Sequence, residues 1–397
     1  MPRASSAAGS PARGPAASDP LAALPGIEAH AHARALLVPV LEGLVRPSHA
    51  YLFHGPAGTG KRSIARAFAA ALLAQGASDP GEVAARVARG AHPDLTWVTA
   101  SGATEMLVAD IEQPVVAAAA RTPFESTRRV FVIEAAHTLN DQAANRMLKT
   151  LEEPAAFVHL LLLSDRPDEV MPTIASRCQH VRFDPLPAAV IAERLDGSDA
   201  ERLLACSRLA LGDAGRAAQL ATDDGGALRA SAEAFVRSSL EGSTSKRPWL
   251  GLLELARAAG ARAGEDAQRR VEAELELLPA KERRRHEREG AEARRRVERR
   301  ARTRTLDLAL GLCELWLRDM LCVREGALEL IHALDRRAQL EQDATACEDP
   351  ARVREGIELV ADARLRLMLN VSEELALEAL AYRLEALATK SHAAAAG

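Results

Sequence analysis

One glycine-rich stretch, residues 51–63, constrains the fold of this chain more than any other part of the sequence. It combines an apolar strand, a turn with the spacing Gly-x-x-x-x-Gly-Lys, and a helix that begins at the lysine. Such a turn points backbone N–H groups at a phosphate, and the helix N-terminus and the lysine add positive charge. The stretch therefore predicts an α/β domain with a phosphate loop, here residues 55–61. The residues that would contact phosphate are Gly55, Gly58, Gly60 and Lys61.

One position of the phosphate loop departs from the usual pattern. The residue after the lysine is normally Ser or Thr, whose hydroxyl holds Mg²⁺, and here it is Arg62. Ser63 is a poor substitute because one helical step turns its side chain by about 100° around the axis. The loop has the form of a site for ATP or ADP without one of its metal ligands. Its sequence leaves two alternatives open, a nucleotide site or a retained packing element.

Composition excludes several other classes of protein. The chain has 397 residues, enough for two or three domains, and a net charge of −4. Its five cysteines are scattered and form no C-x-x-C pair, which argues against both a zinc site and a disulfide framework. No apolar run is long enough to cross a membrane, and no secretory signal precedes the loop. We therefore expect a cytoplasmic protein.

Downstream of the loop, short apolar strands alternate with helical segments. Further strands are predicted at 95–98, 130–133, 158–163 and 180–183. Strands this apolar are typical of a parallel sheet buried between helices on both faces. We expect residues 76–90 to be weakly structured, and a helix capped by Asp110 to run to Ala120. Beyond Pro185 the pattern is helical.

Four motifs coincide in order and spacing with those of a known family. They are the phosphate loop, the acidic strand end at Glu134, the motif LKTLEEP at 148–154, and Ser-Arg-Cys at 176–178. With them the chain resembles the clamp-loader family of AAA+ proteins. His-Pro-Asp at 92–94 favours the delta-prime type of bacterial DNA polymerase III over the gamma/tau type.

The resemblance implies a protein in three parts behind a tail. Residues 26–185 would form an AAA+ α/β P-loop domain with a five-stranded parallel sheet. Residues 186–225 would form a small helical lid, and residues 226–397 an all-α collar through which loader subunits associate. Residues 1–25 are rich in Ala, Ser, Pro and Gly, which predicts a disordered tail.

The resemblance also implies where the chemistry lies. Arg177 matches the arginine finger, which reaches into the nucleotide site of a neighbouring subunit, and Glu134 and Ser164 match the acid and the sensor of the chain's own site. Ser164 has an alternative role as a cap of its turn. Where active members carry a water-activating Glu and a nucleotide-contacting Arg, this chain has Ala135 and Gly215. We therefore expect no hydrolysis by the chain itself.

Partners and metals follow from the same resemblance. The expected partners are the gamma/tau and delta subunits, the sliding clamp, and primer-template DNA bound through the complex. Residues 71–91 contain no cysteine, whereas delta-prime proteins often carry a four-cysteine zinc module there, so we predict no structural metal. The alternative function is an ATP-hydrolysing motor of the gamma/tau type.

A charged segment at 281–304 stands apart from these motifs. It holds twelve Lys or Arg residues and five Glu residues, a net charge of +7, and no aromatic residue. Mixed charge without an apolar stripe predicts a solvated helix. Contact with DNA phosphates is the alternative, although single-strand recognition would call for aromatic side chains.

Overall fold

The chain divides into two compact units, Met1–Leu186 and Pro187–Gly397. A computed structural model describes residues 20–394 apart from 101–104, 278, 348 and 370. Residues 1–19 of the predicted tail lie outside this range. Pro20–Ala23 form a short helix (α1) and Leu24 is fully buried, so ordered structure begins before the predicted boundary at residue 26.

A five-stranded parallel sheet organises the first unit, which confirms the predicted fold class. The strands lie in the spatial order β2-β3-β4-β1-β5. The apolar runs that predicted the central strands are buried, as required of strands covered on both faces. The strands are β1 (Ala50–His54), β2 (Leu95–Val98), β3 (Arg129–Ile133), β4 (Val158–Ser164) and β5 (Gln179–Arg182).

Helices cover both faces of this sheet and form two apolar layers. One layer packs Phe68 and Leu37 against Tyr51, and the other packs Met147 and Ile174 beneath the second face. The helices are α2 (Ala31–Leu41), α3 (Lys61–Leu73), α4 (Pro80–Ala88), α5 (Val108–Ile111), α6 (Asp141–Glu152) and α7 (Pro172–Ala175).

Two local predictions for this unit are wrong. Residues 80–88 form a helix, because Asp79 accepts a hydrogen bond from the backbone N–H of Glu82 and Pro80 suits a first turn. Asp110 lies inside α5 rather than before it, and its carboxylate accepts from the backbone N–H of Leu107. Pro114 has no N–H with which to continue the helix, and Glu112–Ala117 form a π-helical turn.

The described residues of the second unit form helices and no strand, as predicted. A single apolar cluster, which includes Phe235, Trp249, Leu310 and Trp316, forms its core. Its division into a lid and a collar stays a prediction. The helices are α8 (Ala188–Ala192), α9 (Ala200–Leu209), α10 (Ala214–Ala221), α11 (Asp223–Leu240), α12 (Trp249–Leu277), α13 (Ala280–Arg324), α14 (Arg337–Ala346), α15 (Pro350–Met368) and α16 (Glu373–Ala394).

None of the helices in the described part of either unit combines the length and the hydropathy needed to cross a bilayer.

Candidate functional site

The phosphate loop connects the carboxyl end of β1 to the first turn of α3. Gly55 has φ +144°, and a Cβ at this position would lie 2.0 Å from the carbonyl oxygen of Phe183. Only glycine allows the loop backbone to pass this close to the residue that follows β5. The sequence therefore builds the loop at the predicted place, against the sheet edge at which nucleotides bind in open α/β folds.

Lys61 is bound to the loop itself. Its ammonium group donates to the carbonyl oxygens of Gly55 and Pro56 at 2.7 and 2.6 Å, and the residue is 9% exposed. A bound phosphate would need the same ammonium group. Nucleotide binding would therefore have to exchange these contacts within the loop for contacts with phosphate oxygens.

Arg62 neutralises the acid at the end of β3. Its Nε lies 2.7 Å from Oε1 of Glu134, and the indole N–H of Trp97 donates to the same carboxylate. Its guanidinium also lies 5.7 Å from the centre of the Trp97 ring, which Arg66 approaches to 4.7 Å. The sequence showed Arg62 only as a missing metal ligand. The structure adds that the arginine supplies a positive charge beside this acid.

The residues beside Glu134 offer no carboxylate to activate water. Ala135 follows it in a left-handed conformation with φ +52°. Ser164 is buried at the end of β4, and its hydroxyl accepts a hydrogen bond from the backbone N–H of Arg166 and lies 3.1 Å from Nδ1 of His137. Burial lowers the pKa of His137. Ser164 thus has the turn-capping contact that was its alternative role, and its sensor role stays a prediction.

Arg177 follows α7, in the first unit, and is held by an ion pair. Its guanidinium lies 2.5 Å from Oε1 of Glu152 and donates to the carbonyl oxygen of Thr173 at 2.8 Å. About a third of the side chain, 36%, remains exposed. Glu152 is the last residue of α6 and lies 25 residues away from this arginine in sequence.

Cys178, the neighbour of Arg177, is a buried apolar contact. It packs with the helices beneath the sheet, and burial raises the pKa of its thiol to about 12. A thiol with this pKa is not a nucleophile near neutral pH. Cys178 is therefore a packing residue of the Ser-Arg-Cys motif rather than a reactive one.

The His-Pro-Asp motif has a structural role that the sequence did not reveal. Asp94 is buried and accepts hydrogen bonds from the backbone N–H groups of three successive residues, 124–126, at 2.6–3.0 Å. Burial raises the pKa of Asp94, but these three bonds outweigh it and hold the pKa below its usual value. The motif fixes the loop before β3. This role could not be predicted from the sequence, because Asp94 and the residues that it binds are about thirty positions apart.

Gly215, at the position where an arginine was expected, lies in the first turn of α10. Asp213 caps α10 by accepting from the backbone N–H of Arg216 at 2.9 Å, and Gly215 contributes no side chain there.

Among the residues that the structure describes, no group of three or more His, Cys, Asp or Glu side chains is arranged to hold a metal.

Comparison with known proteins supports the resemblance over part of the chain. Residues 44–187 match the family described as DNA polymerase III, delta subunit. Over 173 residues the chain is 37% identical to the delta-prime subunit of DNA polymerase III from Pseudomonas aeruginosa, covering 41% of this chain and 52% of that protein. The Bacillus subtilis delta-prime subunit is 36% identical over 158 residues, 39% of this chain and 47% of that protein.

The resemblance to delta-prime clamp-loader subunits is confirmed. The chain spans about half the length of these two relatives. It is also 37% identical to the Bacillus subtilis tau subunit over 165 residues, 39% of this chain and 28% of that protein. A solved structure of a DNA polymerase III gamma subunit-related protein from Thermotoga maritima aligns with 90% of this chain and 99% of its own, at 16% identity and a TM-score of 0.44.

Proposed function

We propose that this chain is a delta-prime-type subunit of a DNA polymerase III clamp loader that does not hydrolyse ATP. It would lend Arg177 to the nucleotide site of an adjacent ATPase subunit. The observation that supports the proposal is the pair formed by Arg62 and Glu134, because it puts a fixed positive charge beside the acid that the resemblance assigns to the chain's own nucleotide site.

The absence of hydrolysis follows from the chemistry of phosphoryl transfer. Mg²⁺ and a group that orients water supply most of the charge stabilisation in this reaction. Arg62 replaces the metal-binding hydroxyl, and Ala135 replaces the carboxylate that would activate water. A nucleotide, ATP or ADP, would meet a positively charged loop that can hold its phosphates without promoting their transfer.

The role of Arg177 follows from its position and charge. A guanidinium is planar and permanently charged, so it suits the oxygens of a phosphoryl group in transit. Arg177 is partly exposed and its partner Glu152 is itself 49% exposed, so both can be reached from solvent. An exposed ion pair is worth about 0–1 kcal/mol, which a second anion can readily offset. Nucleotide phosphate on a neighbouring subunit is that second anion.

The partners follow from what the relatives are. The gamma/tau and delta subunits would assemble with this chain, and the complex would open the sliding clamp and place it on primer-template DNA in the cytoplasm. The helices of residues 226–397 would form the surface for assembly. Co-purification of the full chain with separately expressed gamma/tau and delta subunits tests this part of the proposal.

The alternative is an ATP-driven motor of the gamma/tau type, which the similarity to tau subunits brings into consideration. Steady-state ATPase assays on the purified chain separate the two functions. We expect no turnover above that of a Lys61→Ala control, with or without DNA. Turnover that Lys61→Ala abolishes would contradict the proposal and favour the motor.

A further inference from the structure

Helices α12 and α13 form a long antiparallel hairpin in the second unit. Gly290 of α13 is buried and lies against α12. A Cβ at this position would be 2.7 Å from Cγ1 of Val271 on α12. With about 100° of rotation per residue, positions 288, 295 and 299 lie roughly 140–180° around α13 from this contact. Farther along the hairpin the contact side turns towards them, since a Cβ at Gly260 of α12 would lie 2.7 Å from Cγ of Arg302, but the side chains at 288, 295 and 299 are exposed. All three are arginine.

These three arginines differ from others on the same helix. Arg294 pairs with Glu298 at 2.7 Å, and Arg302 pairs with Glu373 on α16. Arg288, Arg295 and Arg299 are exposed, and within the described part of the chain they make no hydrogen bond or ion pair. We call them the arginine row. Glu292 lies on the same face, at 3.9 Å from Arg296, and offsets one charge of that face.

We propose that the arginine row binds the phosphate backbone of duplex DNA. Arg288 and Arg299 are eleven positions apart, which is about 16 Å along the helix. Duplex DNA carries a negative charge every ~1.7 Å of its axis, so a row of this length meets several phosphates. Guanidinium forks match phosphate oxygens, and among the described residues these three exposed arginines have no acidic partner that they would have to give up.

Other anionic partners fit the row less well. The segment 281–304 holds no aromatic residue on which the bases of a single strand could stack. A helix that lies on a membrane surface buries large apolar side chains, and the outward face of α13 between 288 and 299 has none. Backbone contact with a duplex requires neither feature. We therefore expect binding without sequence preference.

Fluorescence anisotropy of a short labelled DNA duplex, titrated with the full chain at increasing NaCl, tests the proposal. Each phosphate contact adds about 0.9 to the slope of log K against log salt. The variant R288Q/R295Q/R299Q should weaken binding and reduce that slope by roughly 2–3. Lysine at the same positions should retain the slope, which excludes loss of folding as the cause.

The matched control is R257Q/R262Q/R269Q on α12. It removes the same charge from arginines that are paired with Glu374, Asp224 and Asp266. We expect a slope close to that of the unmodified chain.

Four results would overturn the proposal: no duplex binding, an unchanged slope in the glutamine variant, an equal loss in the control, or equally tight binding of a single strand. Binding of phosphatidylglycerol vesicles in preference to the duplex would assign the row to a membrane instead. The assay uses the chain alone, so its outcome is independent of whether the chain assembles into a clamp loader.

Discussion

Arg62 has two effects at the residue scale. It removes the hydroxyl that would hold Mg²⁺, and it places a fixed positive charge 2.7 Å from the carboxylate of Glu134. A divalent cation would have to displace this guanidinium, which also lies against Trp97. We therefore expect the phosphate loop to bind nucleotide phosphates through its own positive charges, without help from Mg²⁺.

The first prediction concerns Mg²⁺. The unmodified chain should bind fluorescently labelled ADP equally well in Mg²⁺ and in EDTA. Arg62→Thr restores a hydroxyl and frees Glu134, so Mg²⁺ should then tighten binding by about tenfold, or ~1.4 kcal/mol. Arg66→Thr is the control, since Arg66 contacts Trp97 but not the acid. Tighter binding of ADP by the unmodified chain in Mg²⁺ would contradict this prediction.

The second prediction concerns acid stability. His159 is buried in β4 with Nδ1 2.9 Å from the carbonyl oxygen of Ser48, and burial lowers its pKa to about 4. Below its ordinary pKa of about 6.5 the unfolded chain takes up a proton that the folded chain resists. The free energy of unfolding should therefore fall as pH drops from about 6.5 towards 4.

Urea unfolding of the full chain at a series of pH values measures this effect. His159→Asn removes the titrating ring and keeps a donor near the Ser48 carbonyl, so its unfolding free energy should lose less over the same interval. Equal losses in both proteins would show that other groups control acid stability.

At the scale of elements, one buried carboxylate holds the segment that follows α13. Asp319 is fully buried and accepts hydrogen bonds from the backbone N–H groups of His332 and Ala333 and from the His332 ring, all at 2.8–2.9 Å. These bonds fix the connection between α13 and α14. They could not be predicted from the sequence, because Asp319 lies in α13 and His332 lies thirteen residues further on, beyond the end of that helix.

The third prediction is that Asp319→Ala destabilises the second unit. The substitution leaves the backbone N–H groups of His332 and Ala333 without an acceptor, and each unpaired buried donor lowers the free energy of unfolding by about 1–3 kcal/mol. Asp319→Asn keeps an acceptor and should lose less, and Asp362→Ala, at an exposed pair with Arg383, should change little. Chemical denaturation followed by circular dichroism would show this order. Unfolding midpoints that coincide for all three variants would contradict it.

Strands, helices and long-range contacts differ in how well they could be predicted from the sequence. The strands could be predicted, because apolar runs such as 130–133 need no partner to be recognised. The helix at 80–88 was missed although Asp79-Pro80 is a start signal, since its apolar face is short. Contacts between distant residues, such as Arg177 with Glu152, could not be predicted because neither periodicity nor spacing encodes which charges meet.

For the whole molecule, the proposed function gives different roles to the phosphate loop and to Arg177. The phosphate loop has the close backbone approach at Gly55 and an arginine paired with Glu134, so it accounts for the fold better than for an activity. Arg177 keeps the context of the finger, and its contacts with Glu152 and Thr173 hold it without burying it. The proposed activity therefore belongs to an assembly rather than to the isolated chain.

The measurement that tests this account most directly is DNA-stimulated ATP hydrolysis by the chain reconstituted with gamma/tau and delta subunits, the clamp and primed DNA. Arg177→Ala should reduce turnover at the neighbouring site, where an arginine finger contributes roughly 10³–10⁵ in rate, while gel filtration shows an intact complex. Arg166→Ala, which removes an exposed arginine paired with Glu169, should leave turnover unchanged. Unaltered hydrolysis and clamp loading by the Arg177→Ala complex would contradict the account.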